Sequence, residues 1–128
     1  MSSKRALLPV IIASGQSLTT SFNSAPTVVT YVDNIAYLIN VTTTDSAGTF
    51  AVQVSEDYAP PPQGSNTPAN PGTWTTLTLS AAPVAASAND TIAISLNQVP
   101  FNATRIAYTS TIAGTGTCKI TIQTKVLS

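Results

Sequence analysis

Histidine is absent from this chain. That removes the usual general base near neutral pH, the commonest zinc ligand, and every Ser-His or Cys-His nucleophile pair. Cysteine occurs once, at Cys118, so no disulfide can close within the chain and a site built on several thiolates is excluded. Cys118 lies in an apparent strand and reads as a small buried residue. Charge is also scarce. Only 8% of residues are charged, and five Lys/Arg balance five Asp/Glu. The basic residues are scattered apart from Lys4-Arg5, so no basic face is available to displace phosphate counterions, and nucleic acid is excluded as the main ligand. Nor does any stretch approach the ~20 apolar residues that cross a bilayer as a helix, so no membrane partner is expected.

What is present is a strand-forming composition. Apolar residues make up 43% of the 128, and the polar positions are dominated by serine and threonine. Threonine suits a pleated, half-buried surface because its β-branch stiffens χ1. A chain of this length forms one domain and buries roughly two-thirds of the surface that its unfolded form exposes. Net charge of zero does little to oppose association, and the composition favours a subunit over a free monomer.

Alternation supplies the detail. Ile35, Tyr37, Ile39 and Val41 share one face of a strand. Phe50, Val52 and Val54 repeat the pattern after Asp45-Ser46-Ala47-Gly48, and two such runs across a short turn predict a β-hairpin. Trp74, Thr76 and Thr78 alternate with Thr75, Leu77 and Leu79. Further on, Ile92, Ile94 and Leu96 form another strand, as do Cys118, Ile120 and Ile122 after the turn Gly114-Thr115-Gly116. Residues 7–13 are apolar and β-branched, and Ser14-Gly15-Gln16 is turn chemistry that should end the first strand. Shorter strands are expected over 18–22, 27–32 and 104–111, and an alanine-rich loop over 80–90. The basic pair before an apolar run broken by Pro9 superficially suggests a signal peptide, but it reads better as an arm. The whole is an all-β chain: a single antiparallel two-sheet β-sandwich, jelly-roll or immunoglobulin-like, with eight or nine strands. The arm and first strand occupy 1–13 and the sandwich 14–128.

One stretch stands apart. Residues 55–73 hold Tyr58, Pro60-Pro61-Pro62, Pro68 and Pro71, and prolines remove ladder donors, so this is a long loop and not a central strand. Loops of this length in compact domains are often functional. Glu56 and Asp57 sit at its start, but neighbours on an extended chain point to opposite faces, which argues against a carboxylate pair unless the backbone turns there. No catalytic residue, cofactor site or metal site is therefore expected. Tyr58 and Trp74 bracket the loop and either form an aromatic platform for sugar or pack beneath it. Arg105 either pairs within its sheet or meets a neighbouring subunit.

The sequences GTFAVQVSEDY, PGTWTTLTL and DTIAISLNQVPFNATRIAYTSTIAGTGTCKITIQTK contain a strand end over 52–57, a W-x-x-L strand over 74–77, a strand over 103–108, a Gly-Thr-Gly turn over 114–116 and a last strand over 117–125. In this order they resemble small structural proteins of tailed bacteriophages, which occur as head-decoration, head-fibre or tail components. The resemblance covers roughly 35–125 and brings no catalytic residue with it. It implies a non-enzymatic virion protein, assembled in the host cytoplasm, that forms homo-oligomers or docks on other virion proteins. The contact surface expected from the residues is Leu7, Leu8 and Pro9 of the arm, with Tyr58, Pro61, Trp74 and Arg105. A carbohydrate-binding module using Trp74 and Tyr58, with a glycan as partner, is the alternative.

Overall fold

The structure is a computed structural model in which residues 4–6, 8–30, 32–78, 84–86, 89–97 and 101–127 are described. Leu7 and Leu79 lie outside them. The described residues contain no helix. They form eleven strand segments: β1 (Lys4–Ala6), β2 (Val10–Ser17), β3 (Phe22–Asn23), β4 (Thr27–Val28), β5 (Asn34–Thr42), β6 (Ala47–Ser55), β7 (Thr75–Thr76), β8 (Val84–Ala86), β9 (Asp90–Asn97), β10 (Ala103–Ile112) and β11 (Thr117–Leu127).

Three pairs of short segments each share one edge. β1 and β2 both pair with β11, β3 and β4 with β10, and β7 and β8 with β6. Eleven segments thus fill eight strand positions in two antiparallel sheets. One sheet has the order β1/β2, β11, β5, β9, and the other β3/β4, β10, β6, β7/β8. This order decides between the two expected sandwiches in favour of the jelly roll, since all but one of the connections cross between sheets. The exception is the long loop, which joins β6 to β7 within one sheet.

The alternation read from the sequence gives the core. Ile35, Tyr37, Ile39 and Val41 on β5 face Phe50, Val52 and Val54 on β6, and Ile106, Tyr108, Cys118, Ile120 and Ile122 complete the buried cluster. Tyr37 and Thr104 share a hydrogen bond through the interior, linking the sheets. Burial pushes the Tyr37 phenol up to about 12, with the Thr104 bond opposing the shift. Burial likewise pushes the Cys118 thiol up to about 11, which leaves it protonated and inert near neutral pH.

Several expectations are corrected. β5 and β6 do not form a hairpin: β5 pairs with β9 and β11, and β6 with β10. A turn between two alternating runs fits an arch from sheet to sheet as well as a hairpin, because both bury one face of each strand. The first strand does not end at Ser14-Gly15-Gln16. Gly15 adopts φ 62° inside a register shift between Ala13 and Gln16, so it is a bulge and β2 continues to Ser17. Finally, Val84–Ala86 within the expected alanine-rich loop is a strand against Ala47, Gly48 and Thr49. Of the strands expected over 18–22 and 27–32 only the short β3 and β4 are observed, and Pro26, which has no N–H to donate, separates them; Tyr31 lies outside the described residues. Ser24 preserves the ladder there: its N–H donates to the Ile106 carbonyl, and its Oγ accepts from the Ile106 N–H, each at 2.8 Å.

At the end of the sandwich where β2, β5 and β10 stop, two crossings are locked together. Thr43 Oγ1 accepts from the N–H groups of Asp45 and Ser46. Ser46 Oγ donates to the Ala113 carbonyl at 2.7 Å and accepts from the Gly116 N–H at 2.8 Å. The Asp45 carboxylate accepts from the Thr115 N–H at 2.9 Å and from its hydroxyl. Gly114 adopts φ 57°, and a Cβ there would lie 2.5 Å from Ser46 Oγ and 2.6 Å from the Asp45 carbonyl carbon. Replacement Gly114→Ala is therefore expected to destabilise by about 2–4 kcal/mol, combining left-handed strain with overpacking. Gly15→Ala, with a similar φ but open space around it, should cost only about 1–2 kcal/mol. Urea titration of both variants checks the difference, and equal costs would show that the close approach at Gly114 does not matter.

Candidate functional site

The long loop is an ordered extension of β6 and β7. Ala59 and Asn70 exchange backbone hydrogen bonds at 3.0 and 3.3 Å, and Ala69 N–H reaches the Pro60 carbonyl. The prolines thus flank a narrow ladder and leave its tip, with Pro61, exposed. Asp57 closes the base. Its Oδ1 accepts from the Thr73 N–H at 2.7 Å and the Ser55 hydroxyl at 2.8 Å, while Oδ2 accepts from the Thr73 hydroxyl. The Thr73 N–H, followed by the Ser55 hydroxyl, holds the Asp57 carboxyl below its ordinary value. From the other side, Asn102 donates to the Tyr58 carbonyl, gives its own N–H to the Ser55 carbonyl and accepts the Val29 N–H. Asn102 thereby joins the loop to the neighbouring crossings.

The structure brings Tyr58, Trp74 and Arg105 together. The Tyr58 and Trp74 ring centroids are 5.8 Å apart at 49°, and the Arg105 guanidinium carbon lies 4.3 Å from the centre of the Trp74 ring. Trp74 is half-buried and Tyr58 only 6% exposed. Arg105 Nε donates to Gln53 Oε1 at 2.8 Å, and Gln53 Nε2 donates to Thr76 Oγ1. The three residues stand directly opposite one another on β10, β6 and β7, so register alone aligns them. Trp74 Nε1 donates to the Pro71 carbonyl at 2.9 Å, which fixes the ring over the loop base. Tyr58 thus packs under the loop, and one face of Trp74 is occupied by Arg105.

Leu8 and Pro9 lie elsewhere, on the β1/β2 edge. Leu8 is 88% exposed, and Val10 and Ile11 are 56% and 55% exposed beside it. Ladder pairs hold the chain on both sides of Leu8, at Ala6–Lys125 and Val10–Ile122. Pro9 has no N–H, which accounts for the gap between the two segments. The outward side of this edge is unpaired among the described strands.

A cleft of about 500 Å³ opens beside the loop base, floored by Val54, Leu77 and Phe101. Thr73, Thr75, Glu56 and Asp57 form its rim. The chain bends at Glu56 and Asp57, which brings both acids to one opening despite their adjacency. Asp57 is saturated by Ser55 and Thr73, so the pair is not arranged as a free acid and base. Phe101, Thr73 and Thr75 carried no local signal in the sequence, because only the topology places the β9–β10 connection beside β7. Among the described residues no group of three or more Cys, Asp or Glu could hold a metal ion, and no helix is long and apolar enough to cross a membrane.

No family model and no curated protein matches the chain. Among solved structures it is similar to the crystal structure of the SPBc2 prophage-derived protein YomS, with a TM-score of 0.55 at 12% identity over 100% of this chain and 96% of that one. At that identity the likeness concerns the fold.

A pH dependence follows from Asp57. Its folded pKa is depressed below the ordinary 3.8, so its contribution to stability is complete above about pH 5 and is lost as pH falls through the lower folded value. Thermal melts should fall progressively below about pH 5, and Asp57→Asn should flatten that slope while lowering the melting temperature at neutral pH. An unchanged acid profile would mean that the clamp does not hold the loop.

Proposed function

We propose that the chain is a non-enzymatic virion structural protein, a capsid-decoration or accessory subunit that works by self-association or by docking on a capsid or tail lattice. The observation that carries this reading is the β1/β2 edge, whose outward side is unpaired among the described strands and which bears the exposed aliphatic side chains of Leu8, Val10 and Ile11 in a chain where only 8% of residues are charged. Pro9 and the bulge at Gly15 limit backbone pairing along this edge, but they leave its apolar side chains uncovered. An exposed aliphatic patch of this kind fits a surface that is covered in an assembly. The jelly roll is an architecture that capsid and lectin domains share, and the full-length likeness to a prophage-derived protein supports a phage setting. The absent histidine, the protonated Cys118 and the saturated Asp57 supply no catalytic group.

The carbohydrate-binding alternative rests on Trp74, which keeps part of its surface open. It is the weaker reading, because Arg105 covers one face of that ring and Tyr58 is buried beneath the loop.

Light scattering and co-sedimentation with empty phage shells test the assembly reading. The expected result is a mass above the 13.2 kDa chain at high concentration or stoichiometric binding to shells, and a strict monomer that binds no shell would sink it. On a glycan array the protein should stay silent. Binding abolished by Trp74→Ala would instead establish the carbohydrate module.

A further inference from the structure

The geometry points to a head-to-tail contact in which the Leu8-Pro9 knuckle of one copy seats in the Val54–Leu77–Phe101 cleft of the next. This rests on the self-association reading and specifies its interface. The exposed side is apolar and projecting. Leu8 is the most exposed large hydrophobic side chain among the described residues, and it stands in the gap between two ladder segments. The receiving side is concave, with an apolar floor and about 500 Å³ of space, within the range of protein ligand sites.

Charge makes the pairing directional. Lys4 and Arg5 stand two residues before the knuckle in the sequence, and they are the chain's only adjacent cations. Glu56 and Asp57 are the only adjacent acids, and both stand on the cleft rim. A symmetric edge-to-edge dimer would instead bring Lys4-Arg5 of one copy toward an edge with no adjacent acid pair.

The contact is between copies. Leu8 cannot swing to its own cleft, because Ala6 and Val10 are both held to β11. The knuckle edge and the β9 edge of its sheet are three strand spacings apart, about 14 Å, and the cleft opens in the facing sheet about 10 Å farther. A contact joining two different patches of the same chain is heterologous and propagates into a ring if the rotation closes, or into a file if it does not.

Complementation of two surface variants tests this. Leu8→Glu destroys the knuckle and keeps the cleft, whereas Thr75→Arg fills the cleft and opposes Lys4-Arg5 while keeping the knuckle. Both positions are exposed, and circular dichroism melts verify folding. Multi-angle light scattering is expected to show the wild type above 13.2 kDa, each variant at the monomer mass, and their equimolar mixture at twice that mass, because one intact contact remains per mixed pair. Reversal of Lys4 and Arg5 to Glu should also dissociate the wild type, and Glu56→Lys added to it should restore association. If the wild type associates but either single variant associates equally well, this interface is wrong and self-association stands. Variants that dissociate yet fail to pair in the mixture would also overturn it, in favour of a symmetric contact. A monomeric wild type would overturn it together with self-association, leaving only docking on a lattice.

Discussion

The fold depends on the two sheet-to-sheet crossings that meet around Ser46. In a jelly roll nearly every connection must carry the chain over the open end of the sandwich, where backbone polar groups leave the ladders and have to be satisfied otherwise. Here a fully buried serine, a threonine and an aspartate take that role. Ser46 bonds both sides of the β10–β11 crossing, Thr43 caps its own, and Asp45 holds Thr115. Gly114 and Gly116 permit the approach, since a Cβ at either would overlap these side chains. The same end also receives the Leu18 N–H at the Gly116 carbonyl and the Thr43 N–H at Asn89 Oδ1. Short polar side chains therefore set the spacing of the sheets there, and the apolar core fills the distance that they leave.

That arrangement explains both what the sequence revealed and what it concealed. Alternation identifies the inward residues of β5, β6, β9 and β11, because any strand with one buried face must show it. Partner choice carries no such mark. Asp45-Ser46-Ala47-Gly48 has the residues of a hairpin turn, yet Ser46 is buried and bonds a crossing about seventy residues away. Gly15 misled for a related reason, since a positive φ serves a bulge as readily as a turn. β8 was missed because three residues against the β6 edge need little intrinsic strand preference once a partner is present.

The same division holds at the loop. Tyr58, Trp74 and Arg105 were legible as unusual residues, and their types suggested contact. Only register shows that Arg105 and Gln53 stand opposite each other and that the guanidinium lies on the indole. This changes the meaning of the aromatics, because a ring held by a cation on one face and a backbone carbonyl at its edge stiffens the loop base more than it offers a platform. Leu8, Val10 and Ile11 were legible as apolar, but only the structure shows that they lie exposed on the β1/β2 edge. The floor of the cleft, shared among β6, β7 and the β9–β10 connection, has no counterpart in local sequence.

A chain with so little charge faces two demands that usually fall to Lys and Glu, staying soluble and refusing wrong strand pairing. Hydroxyls and amides meet the first, and many of those described are also bonded internally, as at Thr43, Ser46, Ser55 and Asn102. The second is met by interruption. Three of the four sheet edges are broken into short segments, by Pro9, by Pro26 and by the stretch between β7 and β8, and the fourth, β9, carries Asp90 at its start. Breaking β1 from β2 limits continuous edge pairing without removing its apolar side chains, so this edge is poorly suited to adding a long strand and well suited to presenting one side chain to a complementary hollow. In the proposed head-to-tail contact, specificity would come from shape and from the sign of the charges flanking each patch, and Lys4-Arg5 and Glu56-Asp57 are the places where this chain has its adjacent ions.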